Sequence, residues 1–148
     1  MDGGDSWGIA LGVRYPLDKT EVSVVKGNII VGSYEDGIIA TGTATIQDNL
    51  ILLHSTMYAG YTGISVAGSD SNINIESNII VGSAEAINIE NTMSSALTLR
   101  DNNFVNISGG TSVYCDSPNN YNLANNWWGT KTRQPSQTQF MILKMTST

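Results

Sequence analysis

The residues with the clearest chemical potential lie together in one insertion between two repeats of the sequence. This stretch, residues 54–63, contains His54, Tyr58 and Tyr61. A tyrosine has an apolar ring and a polar hydroxyl, so it can stack on a sugar ring while it hydrogen-bonds to sugar oxygens. The tyrosines could instead pack on the neighbouring wall, and a histidine in a loop is often simply solvated. We expect His54, Tyr58 and Tyr61 to be the contacts of any bound ligand.

Residue types that bind metals or act as nucleophiles are scarce. Cys115 is the single cysteine and His54 the single histidine, so the sequence predicts no transition-metal site. Asp48 and Asp101 share a position of the repeat, but Ser77 lies between them, which leaves room for Ca²⁺ without indicating it. Cys115 falls at an inward position of a predicted strand, so we expect a buried, unreactive thiol. No cofactor is predicted.

Charge and composition exclude several classes of function. The 148 residues include 13 acidic and 7 basic side chains, for a formal net charge of −6. Proteins that bind a phosphate backbone need a basic surface, so nucleic acid is not expected as a partner. No run of 18 apolar residues occurs, so we expect no membrane span. Residues 1–6 lack the positive and apolar regions of a secretory signal. Abundant Gly, Asn, Ser and Ile indicate a β-rich domain.

A repeated asparagine organises the chain. The six residues from Asn28 recur letter for letter from Asn78, and a looser pattern, apolar-x-x-Asn-x-apolar, occurs five times. Its asparagines, 21, 29, 24 and 24 residues apart, are Asn28, Asn49, Asn78, Asn102 and Asn126. Between them, short segments such as residues 87–89 alternate apolar and polar side chains. A period of two predicts short, half-buried β-strands.

Short strands at this spacing fit either the hairpins of a β-sandwich or the coils of a parallel β-solenoid. In a solenoid, equivalent residues of successive coils lie about 4.8 Å apart, so a turn amide in each coil can hydrogen-bond to the next. A sandwich gives no reason for the same polar residue in every repeat. The sequence therefore favours a solenoid of five to six coils of 21–29 residues with an asparagine ladder. A glycan or ion contact is the minor alternative for these asparagines.

These features resemble a known group of proteins. The asparagine repeat, the strands of the type Gly-Ile-x-Val and the segment Asn125-Asn-Trp-Trp-Gly-Thr130 are similar to the right-handed parallel β-helix proteins of the pectin-lyase-like superfamily. The resemblance covers about residues 8–130 and implies an all-β, single-stranded right-handed parallel β-helix. It also implies an extracellular or cell-surface location. By register we expect Trp128 in the core, with Trp127 beside it, closing the end of the coil stack.

The same resemblance offers a test for catalysis. Polygalacturonase-type hydrolases carry an Asp-Asp pair, a Gly-His-Gly and an Arg-x-Lys, and none of these occurs in the sequence. Lyases of the superfamily need clustered carboxylates and a basic residue, whereas the repeats hold only Lys26 and Arg100 as cations. We interpret the chain as a non-catalytic module of a surface or secreted protein, a scaffold or a glycan contact. The alternative is a fragment of a polysaccharide lyase, hydrolase or epimerase.

The domain organisation follows from the repeats. We expect residues 1–130 to form the β-helix and residues 131–148 a C-terminal tail or cap. A solenoid exposes its core and strand edges at each end, so the coils could continue in a longer parent chain or associate with a second copy. The expected partner is a polysaccharide or other glycan. Because the chain is acidic, a neutral sugar or a cation-bridged acidic one is favoured.

Overall fold

The computed structural model describes residues 8–11, 22–32, 35–53, 61–93, 96–107 and 111–129. These residues form 13 β-strands. In chain order the strands are β1 (Ile9–Leu11), β2 (Val22–Lys26), β3 (Ile29–Val31), β4 (Asp36–Ala40), β5 (Thr43–Gln47), β6 (Leu50–Leu52), β7 (Thr62–Val66), β8 (Asn72–Glu76), β9 (Ile79–Val81), β10 (Glu85–Ile89), β11 (Leu97–Arg100), β12 (Asn103–Val105) and β13 (Thr111–Cys115). No helix long and apolar enough to cross a membrane occurs in the described ranges.

Every third strand lies in the same sheet. Sheet A has the order β1-β4-β7-β10-β13, sheet B the order β11-β8-β5-β2, and sheet C the order β12-β9-β6-β3. All of the strand pairs are parallel. The chain therefore completes three full turns from β2 to β11 and then continues through β12 and β13. One further parallel bridge joins Trp127 to Asn103. The predicted all-β parallel solenoid is confirmed.

The core is a stack of aliphatic side chains enclosed by the three sheets. Alternate residues of each strand point inward, as the period of two predicts. Ile46 and Ile75 of sheet B, Ile51 of sheet C, and Ile64 and Ile87 of sheet A are all fully buried. Branched side chains suit this position because they pack against the equivalent residue one strand spacing above and below. Cys115 lies at the end of an inward column and is buried, as predicted.

The corner where sheets C and A meet requires small residues. A Cβ atom built on Gly63 would lie 2.5 Å from the carbonyl oxygen of Ala86 and 2.5 Å from Cγ2 of Ile80. One coil earlier, a Cβ on Gly37 would lie 2.6 Å from the carbonyl oxygen of Gly63. Real Cβ atoms do not approach other atoms so closely, so glycine at these two positions allows the two sheets to pack together.

The turn between sheets B and C explains which residue precedes each repeated asparagine. Its first residue has a positive φ in every coil: 69° at Gly27, 56° at Asp48, 56° at Ser77, 58° at Asp101 and 64° at Asn125. This left-handed conformation disfavours most side chains and is tolerated best by Gly, Asn and Asp. Four of the five positions hold one of these types, so the residue before each repeated asparagine suits the conformation of this turn.

The C-terminal end of the described solenoid differs from the prediction at Trp128. The ring centroids of Trp128 and Phe104 lie 5.1 Å apart, with the ring planes tilted by 58°. Trp128 nevertheless stays 37% exposed, so the prediction that it is a core residue is wrong. The tryptophan covers the last core side chain, and no described coil packs on its outer side. The predicted tail, residues 131–148, lies outside the described residues.

Candidate functional site

One of the three predicted ligand contacts lies within the described part of the chain. Tyr61 immediately precedes β7, is half-buried, and packs against the core. Its carbonyl oxygen accepts hydrogen bonds from the backbone nitrogens of Ala84, at 2.9 Å, and Glu85, at 3.3 Å. The end of the insertion is thus fixed to the start of β10 in the middle of sheet A. His54 and Tyr58 lie outside the described residues, and the ligand role of all three stays a prediction.

The outward face of sheet A is rich in hydrogen-bonding groups. We define the sheet A face by the first residue and the outward central residue of β4, β7, β10 and β13. These are Asp36, Thr62, Glu85 and Thr111 in one column, and Ile39, Ser65, Asn88 and Tyr114 in the other. Neighbouring members of a column are one strand spacing apart, about 4.8 Å. Seven of these eight side chains can donate or accept a hydrogen bond. Thr62 and Ser65 of the central strand β7 are buried, so the accessible polar groups are those of β4, β10 and β13.

Asp36 is the most buried carboxylate of the sheet A face. The hydroxyl of Ser65 donates a hydrogen bond to Oδ1 of Asp36 at 3.0 Å. Burial raises the pKa of Asp36 because it removes water from the charged form, and the charge of Glu90 raises it further. The hydrogen bonds from Ser65 and Thr62 oppose this shift but do not reverse its direction. The fold therefore holds a carboxyl group whose charged form is disfavoured.

Glu85 lies in the same column as Asp36, with Thr62 between them. Burial raises the pKa of Glu85, and the negative charge of Asp36 raises it further. Within the described ranges the cations are Lys26 and Arg100, both in sheet B, so none lies on the sheet A face. These two cations pair with acidic residues of their own sheet or turn. The sheet A face is thus acidic and carries no described counter-charge.

Tyr114 and Asn88 add a stacking group beside an amide. They are register partners in β13 and β10, and Tyr114 is 41% exposed. An exposed aromatic ring next to an amide is an arrangement that can bind a sugar. Sequence reasoning missed both residues, although a signal was present. Val113 and Cys115 were recognised as inward residues, which places Tyr114 between them on the outward face.

A second polar feature, the asparagine column, runs along the turn between sheets B and C. Oδ1 of each later asparagine accepts a hydrogen bond from Nδ2 of the earlier one, at 3.1 Å for Asn28 to Asn49, 2.9 Å for Asn49 to Asn78, 3.0 Å for Asn78 to Asn102 and 3.0 Å for Asn102 to Asn126. The same oxygens also accept the backbone N–H of the earlier asparagine. Both lone pairs of each oxygen are therefore engaged within the column.

The amides of Asn49, Asn78, Asn102 and Asn126 also donate a hydrogen bond to the backbone of an earlier coil. Nδ2 of Asn78 donates to the carbonyl oxygen of Ile46 at 2.9 Å, and Nδ2 of Asn102 donates to that of Ile75 at 3.0 Å. Asn78 and Asn102 are fully buried. Groups satisfied in this way have no remaining capacity for a ligand. The buried amides of Asn78 and Asn102 are therefore fully paired within the protein.

The described residues do not converge on a metal. They contain no group of three His, Cys, Asp or Glu side chains arranged to hold an ion. The thiol of Cys115 is buried, and its sulfur lies 3.8 Å from the carbonyl oxygen of Ser117. Sheet B adds one ion pair between Arg100 and Glu76, which are register partners in β11 and β8. Within the described part of the chain, the sheet A face is the arrangement best suited to bind a ligand.

Comparison with known proteins gives one family. A family model described as NosD, periplasmic copper-binding protein, matches residues 4–136. Comparisons with curated proteins and with solved structures give no significant match.

Proposed function

The chain belongs to the NosD family of periplasmic β-helix proteins, and we propose that it works outside the cytoplasm as a non-catalytic module that contacts glycans. The family match supports the location, because the family is described as periplasmic. The solenoid supports a scaffold role, since stacked coils present long, regular outer faces. The glycan contact rests on one observation, the row of hydrogen-bonding groups and the exposed Tyr114 on the sheet A face.

The family description names copper, so the side chains that could bind copper need to be identified in this chain. Copper sites in proteins use cysteine, histidine and methionine side chains held in a cluster. Among the described residues there is no histidine, and Cys115 and Met93 are both buried in the aliphatic core. No group of three ligating side chains occurs there. The described residues therefore do not fit a copper site.

The sheet A face has the features that a neutral sugar requires. Hydroxyl, amide and carboxylate groups on β4, β10 and β13 are at least partly exposed, so they can hydrogen-bond to sugar hydroxyls, whereas Thr62 and Ser65 of β7 are buried between them. Tyr114 offers a ring for stacking, and Tyr61 lies at the entry to β7. The face carries Asp36 and Glu85 without a described cation, which disfavours polyanionic chains unless a cation bridges them. His54 and Tyr58 of the insertion, which lie outside the described residues, remain proposed contacts in addition to these.

Retention on an array of neutral and acidic glycans tests this proposal. We expect Tyr114→Ala to lose about two- to twelvefold in affinity, because one stacked aromatic group commonly contributes about 0.5–1.5 kcal/mol. Tyr58→Ala with Tyr61→Ala should also reduce retention. Thr98→Ala, at an exposed outward position of sheet B, is the matched control and should bind as the parent does. A parent protein that binds no glycan, or a Tyr114 variant that binds unchanged, would contradict the proposal.

A carbohydrate-active enzyme is the second candidate, and the carboxyl groups favour it. Asp36 and Glu85 both have a raised pKa, which is a property of general acids. Asp36 and Glu85 lie two strands apart, which corresponds to about 10 Å. No lysine or arginine among the described residues lies on the sheet A face to act as a base. An assay for reducing ends or unsaturated products on acidic polysaccharides distinguishes the two candidates. Product formation that Asp36→Asn abolishes would replace the binding module by an enzyme.

We also propose that the asparagine column is structural and that the solenoid ends are contact surfaces. The column's amides are satisfied by one another and by the backbone, which supports a role in coil stacking. At the ends, strand edges such as that of β11 pair with no described strand. Exposed edges template further pairing, so a continuation of the coils or a second copy is the proposed occupant.

A further inference from the structure

Two acidic residues extend the sheet A face past the ends of β10 and β13. Glu90 directly follows β10, and its backbone N–H donates to the carbonyl oxygen of Val66 at 3.0 Å. Asp116 directly follows β13, and its backbone N–H donates to the carbonyl oxygen of Ile89 at 3.0 Å. Val66 and Ile89 are register partners, so the two acidic residues hold equivalent positions in adjacent coils, about 4.8 Å apart. Both are exposed.

An exposed aromatic ring lies beside this acidic pair. Tyr114 precedes Asp116 by two residues, so both occupy the outward side of the chain, about 7 Å apart. Asn88 precedes Glu90 by two residues in the same way, and it is the register partner of Tyr114. We define the Tyr114 patch as Asn88, Glu90, Tyr114 and Asp116. Their backbone positions form a rectangle of about 5 Å by 7 Å, so one small ligand group can contact the ring and both carboxylates.

The negative charge around the Tyr114 patch is not balanced by the described residues. The strands of sheet A contain two more carboxylates, Asp36 and Glu85, and no lysine, arginine or histidine. Burial is the main cause of the raised pKa of each of these two groups, and a neighbouring carboxylate raises both pKa values further. In sheet B, by contrast, Lys26 and Arg100 pair with carboxylates. The sheet A face therefore has a negative potential that attracts cations.

The residue types of the Tyr114 patch select an organic ammonium group over a metal ion. The face of an aromatic ring attracts an ammonium group, and carboxylates form charge-assisted hydrogen bonds with its N–H donors. A hard metal ion such as Ca²⁺ needs six to eight converging oxygen atoms and gains nothing from a ring. The described residues contain no group of three acidic or other ligating side chains arranged for a metal ion. The amide of Asn88 adds one donor and one acceptor for a neighbouring hydroxyl group.

We propose that the glycan contacted by the sheet A face is an amino sugar polymer whose free ammonium group binds at the Tyr114 patch. The ammonium group lies between the ring of Tyr114 and the carboxylates of Glu90 and Asp116. The inference rests on the proposed function and names the chemical class of the glycan. A neutral sugar leaves the two carboxylates without a counter-charge, and a polyanion is repelled by them. The polar groups elsewhere on the sheet A face suit the hydroxyl groups of the same polymer.

Three oligosaccharides with the same β-1,4-linked backbone test the proposal. They differ only at carbon 2 of each sugar, which carries a hydroxyl, an N-acetyl or a free amino group. Calorimetric titration at about pH 6 keeps the amino groups protonated. We expect the amino form to bind about tenfold more tightly than the other two, because one cation–π contact and two exposed ion pairs together contribute about 1–3 kcal/mol. Added salt should reduce this difference.

Charge-neutral variants locate the ammonium site. Glu90→Gln combined with Asp116→Asn should remove most of the preference for the amino form and leave the affinity for the hydroxyl form unchanged. Asp48→Asn combined with Asp101→Asn is the matched control, because it changes the net charge equally. Both control positions lie in the turn between sheets B and C and have a positive φ that asparagine tolerates. The control should therefore keep the preference for the amino form.

The possible results separate this inference from the proposed function. If all three oligosaccharides bind equally well, the face contacts glycans without selecting an ammonium group, and only the inference is overturned. If none of them binds, the proposed function fails and the inference fails with it. A preference that persists in the variant of Glu90 and Asp116 would also overturn the inference. An oligolysine of equal charge should not displace the amino oligosaccharide at equal concentration. Displacement would assign the Tyr114 patch to a basic peptide and contradict the inference.

Discussion

The outward faces of sheets A and C belong to the same coils but have opposite chemistry. Sheet A has Asp36, Asn88 and the exposed Tyr114 at outward positions, whereas sheet C has Ile29 and Leu50 there. The inward faces of the two sheets are alike, since both contribute fully buried isoleucines. The fold therefore fixes the interior of each wall and leaves its exterior free. The outward positions of the two walls therefore differ in polarity, although their inward positions do not.

Substitutions in the interior and on the outer faces should have different effects. If the interior determines stability and the outer faces determine binding, changes at the shared corner and turn should cost the most stability. Changes on a single outer face should alter binding or pH response and cost little. The following variants test that order, from the interior outward.

Gly63→Val should have the largest effect, because Gly63 lies at the corner that joins the two walls. Its added Cβ would approach the carbonyl oxygen of Ala86 and Cγ2 of Ile80 to 2.5 Å. Overpacking of this kind typically costs about 1–3 kcal/mol, and contact with backbone places this site near about 3 kcal/mol. Urea denaturation followed by circular dichroism measures the loss.

The matched control at the same corner is Ser112→Ala, which keeps a Cβ in the register column of Gly63. The hydroxyl of Ser112 is buried and has no hydrogen-bond partner among the described atoms. Its removal should leave the free energy of unfolding within about 1 kcal/mol of the parent. A Gly63→Val protein as stable as this control would show that sheets A and C do not meet tightly at the corner.

Asn78→Leu should have the next largest effect, about 1–3 kcal/mol. Oδ1 of Asn78 accepts hydrogen bonds from the backbone and side chain of Asn49, and leucine would leave both donors buried and unpaired. Asn28→Leu is the control, because Asn28 is exposed at the end of the column and its side chain accepts no hydrogen bond from a described coil before it. Thermal and urea melts should separate the two variants. Equal losses would mean that burial in the column adds nothing.

The sequence predicted the interior far better than the exterior, for a physical reason. Packing and turn geometry repeat in every coil, so the asparagine spacing and the inward isoleucines leave a periodic signal. Trp128 broke this rule because register specifies direction but not whether a further coil covers the residue. The sheet A face combines residues from four strands that are more than 20 residues apart in sequence, and only the register joins them. No local pattern of Asp36, Ser65 or Tyr114 could reveal that group.

Asp36→Asn should have the smallest effect on stability and one that depends on pH. The pKa of Asp36 is raised in the folded protein, so the folded state binds its proton more tightly than the unfolded state does. The stabilisation from this proton is complete at low pH, where both states are protonated, and is lost as pH rises through the raised pKa. Asparagine keeps the oxygen that accepts the Ser65 hydroxyl but never ionises. The melting temperature of Asp36→Asn relative to the parent should therefore increase from about pH 4 to pH 7.

The controls connect this titration to the sheet A face. Glu85→Gln should show the same trend, because burial and the charge of Asp36 raise the pKa of Glu85. Asp101→Asn removes one carboxylate at the turn before sheet C, where the backbone already has a positive φ that asparagine tolerates, and is the control for the change in net charge. If Asp36→Asn gains nothing at pH 7, the burial of its carboxylate does not cost the fold stability. If Asp101→Asn gains as much, the effect is net charge spread over the whole acidic chain, and the chemical contrast between the two walls would not extend to their titration.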